Sequence, residues 1–278
     1  MVGALPWPGV DGDQQELAPL PASDLRAALS DARIHTHYQP IVRMADRRPV
    51  ALEVLARLQH PDLGMLLPGR FIPPMEAAGL GCALTEAVLL RAFDEWSGER
   101  LDALDMMLAF NFPLEVLLLP DALTHFDTVR MEAGVAARRV VIELTESSPL
   151  TALNRLEQAT HWLRGIGYSI AIDDVSPEMR DHRALLDLPF TALKLDKKLV
   201  GDALDDPFSG EFLADAIAAA AAAGMTVTAE GVEDEVTWRG MQALGVDLAQ
   251  GFLISRALPA AAVLPWHREW CSRFAVAE

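Results

Sequence analysis

Cysteine is nearly missing from this chain of 278 residues: it has two, Cys82 and Cys271, in no CxxC spacing. That excludes a disulfide framework and gives no support to a zinc or thioredoxin-type motif, so a reducing compartment is expected. Basic residues are also short. Lys and Arg number 23 against 40 Asp and Glu, leaving a net charge of −17, and the basic ones are scattered along the chain. Phosphate-backbone binding needs a basic stripe, so DNA is not an expected partner. No apolar run approaches the roughly 18–20 residues of a membrane helix. The longest, Ala216 to Ala223, is alanine-rich and stops at Gly224. Met1 to Pro6 show neither a charged nor an apolar signal region, and the first basic residue is Arg26. No secretory signal and no membrane association are therefore expected, and the expected setting is cytoplasmic.

What the chain does have is apolar bulk, 51% of its residues, enough for a packed core. Residues 1–22, rich in Pro, Gly and Asp without hydrophobic periodicity, read as a flexible N-terminal arm. Residues 23–278 read as one domain, because no low-complexity linker divides them. Ser23 to Leu29 reads as a short capped helix. Beyond it, β-type runs fall at about 36–42, 50–56, 107–112, 139–145, 168–173, 191–195, 226–230 and 249–254. Helix-period stretches lie between most of them: Leu84 to Trp96, Leu153 to Leu163, Glu211 to Ala223 and Glu233 to Leu244. Repeated strand–helix units predict an α/β fold with a parallel sheet, and about eight of them suit a (β/α)8 TIM-like barrel. A doubly wound open sheet is the alternative, weakened because no GxGxxG follows an early strand.

Polar residues enter where the apolar runs end. Glu53 follows Ala51-Leu52, Asn111 follows Phe110, Glu143 follows Ile142, and Asp173-Asp174 follow Ile172. Lys194 follows Leu193, Glu230 follows Ala229, and Gln250 follows Ala249. One acidic residue after a strand is usually a helix cap or loop group. Seven strand ends that each deliver a carboxylate, amide or amine are harder to explain that way, because strand C-termini converge on the functional face of a barrel. So many clustered carboxylates need a cation or raised pKa values. Oxygen donors without His or Cys favour Mg²⁺ or Mn²⁺ over zinc. Asp173 and adjacent Asp174 could serve two ions, an arrangement that supports phosphodiester hydrolysis, with Lys194 orienting water or neutralising charge. The seven histidines, His35, His37, His60, His125, His161, His182 and His267, show no ligand spacing.

The motifs resemble those of the EAL domain, the bacterial cyclic-di-GMP phosphodiesterase family, over about residues 33–268. Tyr38-Gln39-Pro40-Ile41 is similar to the family's YQPI, Glu53-Val54-Leu55-Ala56-Arg57 to EAL followed by Arg, and Phe71-Ile72-Pro73 to FIP. Ile142 to Ser147 resembles LEITES, Asp173-Asp174 the DD pair, and Lys194-Leu195-Asp196 KID. Ala229 to Glu233 reads AEGVE, and Gln250-Gly251-Phe252 resembles QGY. The resemblance implies hydrolysis of cyclic-di-GMP to linear pGpG by water, without a covalent intermediate. It implies Glu53, Asn111, Glu143 and Asp173 as ligands of one metal, and Asp173, Asp174 and Glu230 as ligands of a second. Lys194 would contact the hydrolytic water, Glu233 and Gln250 would support the site, and Gln39 and Arg57 would contact the dinucleotide, Gln250 lying beside it. Calcium, with a larger and looser shell, would sit there as an inhibitor.

Two departures bear on activity. Val54 stands for the alanine of EAL and is expected to alter packing alone. After the DD pair the family reads FGTGYSSL, where this chain reads Val175-Ser176-Pro177-Glu178-Met179-Arg180-Asp181-His182. Both glycines are gone, so Ser176 and Glu178 are expected to be strained or the loop to take another path. Glu146 resembles the glutamate that anchors this loop. The alternatives to an enzyme are a catalytically weak or inactive cyclic-di-GMP receptor that signals through a protein partner, and a ligand-free scaffold. A homodimer is a further expectation from the family.

Overall fold

The structure, a computed structural model, describes residues 20–145, 153–179 and 185–275. The expected arm lies outside these residues up to position 19, as do Glu146 and residues 180–182 of the altered loop. Helix α1 (Ala22–Ser30) leads into strands β1 (Ile34–Arg43) and β2 (Pro49–His60), then short β3 (Gly64–Leu66) and helices α2 (Pro68–Ala77) and α3 (Gly81–Gly98). The chain continues through β4 (Met107–Pro113), α4 (Leu114–Leu117), α5 (Pro120–Glu132), β5 (Val140–Thr145), α6 (Leu153–Ile166) and β6 (Ser169–Val175). It ends with β7 (Ala192–Leu195), α7 (Lys197–Asp202), α8 (Pro207–Ala222), β8 (Thr226–Ala229), α9 (Glu235–Ala243), β9 (Leu248–Ala249), β10 (Leu258–Pro259) and α10 (Ala260–Phe274).

Eight of these strands form a closed barrel. The order runs β1-β9-β8-β7-β6-β5-β4-β2, and the β1–β2 pairing shuts the ring. The expectation of a parallel sheet needs one correction: β1 is antiparallel to both neighbours, β2 and β9, while the other six pairings are parallel. A five-residue connection joins β1 to β2, too short for the crossover that parallel strands require. A second correction concerns the last predicted strand, 249–254, which stops at Ala249. Beyond it Ile254 and Ser255 donate backbone N–H bonds to Gly251, at 3.0 and 3.1 Å, and fold the chain into a turn.

The two-residue period of the strands sorts the side chains. Leu108, Phe110 and Phe112 of β4, Val140, Ile142 and Leu144 of β5, and Ile170 and Ile172 of β6 all belong to the large core between sheet and helices. The alternate residues turn inward. Ala109, Val141 and Ala171, with Met107 and Ala192, make a small separate apolar layer inside the barrel. Two positions further along the same strands stand Asn111, Glu143, Asp173 and Lys194. Small residues below thus leave room for long polar ones above. Burying the large outward set supplies most of the barrel's stability, at about 25 cal/mol per Å² of apolar area removed from water.

Gly251 shows how tightly the site face is packed. A Cβ added there would lie 2.2 Å from the Val232 carbonyl oxygen and 2.3 Å from its nitrogen. Gly165 in α6 is the opposite case, because its added Cβ would meet nothing within 4 Å. Gly251→Ala is expected to cost about 1–3 kcal/mol by overpacking, and Gly165→Ala to stabilise by about 0.5–1 kcal/mol by stiffening the unfolded chain. Urea unfolding of the two variants checks both signs.

Candidate active site

Lys194 is 2% exposed, at the centre of the barrel's polar layer. Its ammonium lies 2.7 Å from Glu230, 2.9 Å from Asp173, 3.1 Å from Glu143 and 3.8 Å from Glu53. Four carboxylates from β2, β5, β6 and the end of β8 thus meet one cation. Burial pulls the lysine towards neutrality, but the surrounding carboxylates outweigh it and hold the ammonium charged well above its usual range. One cation does not neutralise four anions. Burial pushes the Glu143 carboxyl well above the usual range and Glu230 up to about 8, against the pull of Lys194. Asp173 is raised for the same reason. Glu53 goes the other way: burial raises it, but Lys194 and the hydrogen bonds from Gln250 and Asn111 lower it more.

Those hydrogen bonds fix Glu53. Asn111 Nδ2 donates to Glu53 Oε1 at 2.9 Å, and Gln250 Nε2 donates to Glu53 Oε2 at 2.5 Å. Glu53 itself stands mid-strand, because β2 runs on to His60 rather than ending near residue 56 as expected. It pairs in register with Gln39 across the hairpin and with Ala109 on β4, which sets it at the level of the other strand ends.

The Asp173–Asp174 pair depends on an irregularity. In a regular strand adjacent side chains face opposite ways. Here the β6–β7 register shifts between Ile172 and Val175, so that three steps on β6 match two on β7. Within this bulge Asp174 takes a left-handed backbone, φ 53°, and both carboxylates border the same cavity. Burial and the Asp173 charge push Asp174 up to about 6. Ser176 and Glu178 are absent from the residues with positive φ, so the lost glycines impose no left-handed strain on them.

These residues fit divalent cations. Asp173, Asp174 and Glu230 each offer an oxygen within 4.8 Å of the other two. Asp173 Oδ1 and Gln250 Oε1 are buried without a hydrogen bond, the former in contact with Lys194 but outside hydrogen-bond alignment. Hard oxygen donors lacking a proton partner suit Mg²⁺ or Mn²⁺.

Above this cluster opens a cavity of about 780 Å³, walled on one side by Ile72, Pro73, Leu84 and Val88 of α2 and α3. Gln39, Glu53, Asn111, Asp173, Asp174, Glu230, Glu233 and Gln250 all border it, whereas Glu143 and Lys194 lie beneath. Glu233 stands on the exposed rim. Gln39 donates from Nε2 to the Ser255 carbonyl at 3.1 Å. Arg57 does not border the cavity; it is buried, donating to the Ala56 carbonyl at 2.9 Å. Sequence reasoning missed Lys197, which borders the cavity beside Gly231. That glycine has φ 64°, and a Cβ on it would lie 2.5 Å from the Lys197 Cβ. The contact joins two segments through space, and nothing in their spacing along the chain announces it.

The EAL domain family model matches residues 22–257. The chain belongs to the EAL domain family. Cyclic di-GMP phosphodiesterase NbdA of Pseudomonas aeruginosa is 33% identical over 246 residues, 86% of this chain but 31% of that longer protein. An uncharacterized protein of Mycobacterium tuberculosis is 32% identical over 265 residues, covering 91% of this chain and 84% of its own. Among solved structures, the PaMucR phosphodiesterase in its c-di-GMP complex superposes with a TM-score of 0.79 at 27% identity, over 86% of this chain and 97% of that one. The TIM-like barrel of this EAL domain is thus shared with its structural neighbours.

Two predictions follow from the charges. Lys194→Met leaves the buried carboxylates of Glu53, Glu143 and Asp173, and the partly buried one of Glu230, without their cation, and the metal-free EAL domain is expected to lose about 3 kcal/mol. Melting with and without Mn²⁺ checks it, since added Mn²⁺ should restore most of the loss. The second concerns His37 on β1, whose imidazole is pushed down to about 4, by burial first and then by Arg57. Its folded value lies below the ordinary 6.5, so the unfolded chain binds more protons between these values. Stability is full above about pH 6.5 and falls as pH drops towards about 4. Urea midpoints of wild type and His37→Gln across that window test this, the variant losing part of the slope.

Proposed function

We propose that this EAL domain hydrolyses one phosphodiester of cyclic-di-GMP to give linear pGpG, and that it needs Mg²⁺ or Mn²⁺ to do so. The observation that carries this reading is the convergence of Glu53, Asn111, Glu143, Asp173, Asp174 and Glu230 around Lys194 at the floor of one open cavity. An acidic site in a chain of net charge −17 would receive an anionic diester more readily with cations bound. The relatives named as cyclic di-GMP phosphodiesterases and the neighbour with c-di-GMP in its complex support the same substrate.

Glu53, Asn111, Glu143 and Asp173 would hold one cation, and Asp173, Asp174 and Glu230 a second. Cations bound there would supply charge neutralisation at the phosphate and acidification of water. The chain's own groups do the rest. Lys194, wedged among carboxylates, holds its ammonium charged and presents it as a donor to the attacking water or to the developing charge on phosphate. Asn111 and Gln250 keep Glu53 from rotating, so the floor is set before substrate arrives. Gln39, beside Glu53 on the hairpin, borders the cavity where the dinucleotide would lie. Arg57, turned away in this structure, would reach a phosphate after a change of rotamer. Cys82 and Cys271 form no disulfide among the described residues, which fits a reducing, cytoplasmic setting.

Metal-dependent release of pGpG by purified protein, abolished by EDTA and by Glu53→Ala, is the expected result. Binding of cyclic-di-GMP without any product would overturn the enzyme reading in favour of a receptor. Replacing 175–178 with Phe-Gly-Thr-Gly is expected to raise kcat severalfold with little change in affinity; equal rates would show that the loop does not limit turnover.

A further inference from the structure

Six carboxylates border the cavity, those of Glu53, Glu76, Asp173, Asp174, Glu230 and Glu233. Lys197 is the only lysine or arginine that borders it among the described residues. Lys194 lies beneath, with its charge shared by four carboxylates. Lys197 is exposed and makes no ion pair among the described residues. Its backbone is nonetheless held at a set place, between the two strands that carry the candidate metal ligands. The Asp196 N–H bonds to the Val175 carbonyl at 3.1 Å, at the end of β6, and the Glu230 N–H bonds to the Leu195 carbonyl at 3.2 Å. The Asp196 carboxylate accepts the N–H groups of Lys198 and Leu199, at 2.8 and 3.3 Å, which fixes the first turn of α7. From the other side Gly231 presses on the residue so closely that an added Cβ would lie 3.2 Å from the Lys197 Cα. The base of the lysine stem is thus anchored beside Glu230, and its ammonium is left on a flexible stem at the rim.

We propose that Lys197 is a phosphate-binding residue that grips the terminal phosphate of the linear product more tightly than the scissile diester of the substrate. This rests on the cyclic-di-GMP reading and adds to it a residue that separates product from substrate. The physical case is the charge made by the reaction. The oxygen of water bonds to phosphorus, and the bond from phosphorus to the 3′ oxygen breaks. One water proton passes to that oxygen, and the other leaves as the new phosphomonoester ionises, its second pKa being about 6. A phosphate of charge −1 becomes one of about −2 in the same place. Asp174, Glu230 and Glu233 border that place and repel the added charge. Lys197 stands beside them with three donors and no carboxylate of its own, so it offsets the repulsion where the charge develops. A point charge on a flexible stem follows the phosphate without needing a fixed geometry.

The test uses the full chain, with Ca²⁺ present to hold back turnover, and calorimetry with cyclic-di-GMP, pGpG and GpG, the last lacking the terminal phosphate. Lys197→Met keeps the stem and removes the charge. It is expected to weaken pGpG about tenfold, the size of one lost hydrogen bond to a charged group. Cyclic-di-GMP should weaken only about threefold, because its phosphate carries half the charge, and GpG should bind as before. Lys197→Arg should restore the preference for pGpG over GpG. The Mn²⁺-induced shift in melting temperature should be the same in wild type and both variants. Unchanged pGpG affinity in Lys197→Met overturns the assignment and leaves the substrate reading standing. Equal losses for pGpG and GpG also overturn it, because the lysine would then act on something other than the phosphate. A smaller Mn²⁺ shift in Lys197→Met overturns it as well, since the residue would then be a prop of the metal site. A wild-type protein that binds no cyclic-di-GMP removes the substrate reading and this role together.

Discussion

Everything at the working face of this barrel is arranged around a single imbalance: one buried ammonium among four carboxylates. Lys194 cannot leave without stranding Glu53, Glu143, Asp173 and Glu230, and it cannot satisfy them alone. The strain is electrostatic, not conformational. It shows as carboxyls that hold protons far above their ordinary range. A buried ion cluster of this kind is a poor way to stabilise a fold, since apolar residues of the same volume would do better. Its presence inside a barrel whose other inward residues are mostly small and apolar fits the proposed ion-binding, catalytic role better than a structural one.

The barrel supplies what that cluster requires. Strand parity sends Leu, Ile, Val and Phe outward to the helices and leaves the interior to alanine below and to long polar side chains above. The helices therefore carry the stability and the interior layer is free to be costly. Glu53 shows the division within one strand: Leu52 and Val54 pack in the outer core, while Glu53 between them turns to the floor. Val54, where the family has alanine, is buried in that outer core and also borders the cavity beside Glu53.

Much of this was legible from the chain alone. The alternation of strand and helix segments, and the polar residue closing each apolar run, were enough to reach a barrel and a carboxylate-rich face. Asp173, Asp174, Glu230 and Lys194 could be read because chemistry demands rare residue types at those places. Other features were hidden because they depend on contacts distant in sequence. The antiparallel first strand follows from a five-residue connection and from closure with β9, neither of which has a periodic signature. The run at 249–254 looked like a strand by composition, yet Gly251 pressed on Val232 turns the chain at once. Arg57 was expected at the ligand and is found bonded to a neighbouring carbonyl, a matter of rotamer that sequence does not encode.

The extra residue in β6 has a wider meaning. The barrel closes around the bulge, since Ile172 and Val175 on either side of it both find partners on β7, at Leu193 and Leu195. What the added residue changes is the direction of one carboxylate. Architecture and reactivity are therefore written in separable parts of the strand. Shedding a single residue there would leave a straight strand, in which adjacent carboxylates face opposite sides of the sheet and no longer share one cavity.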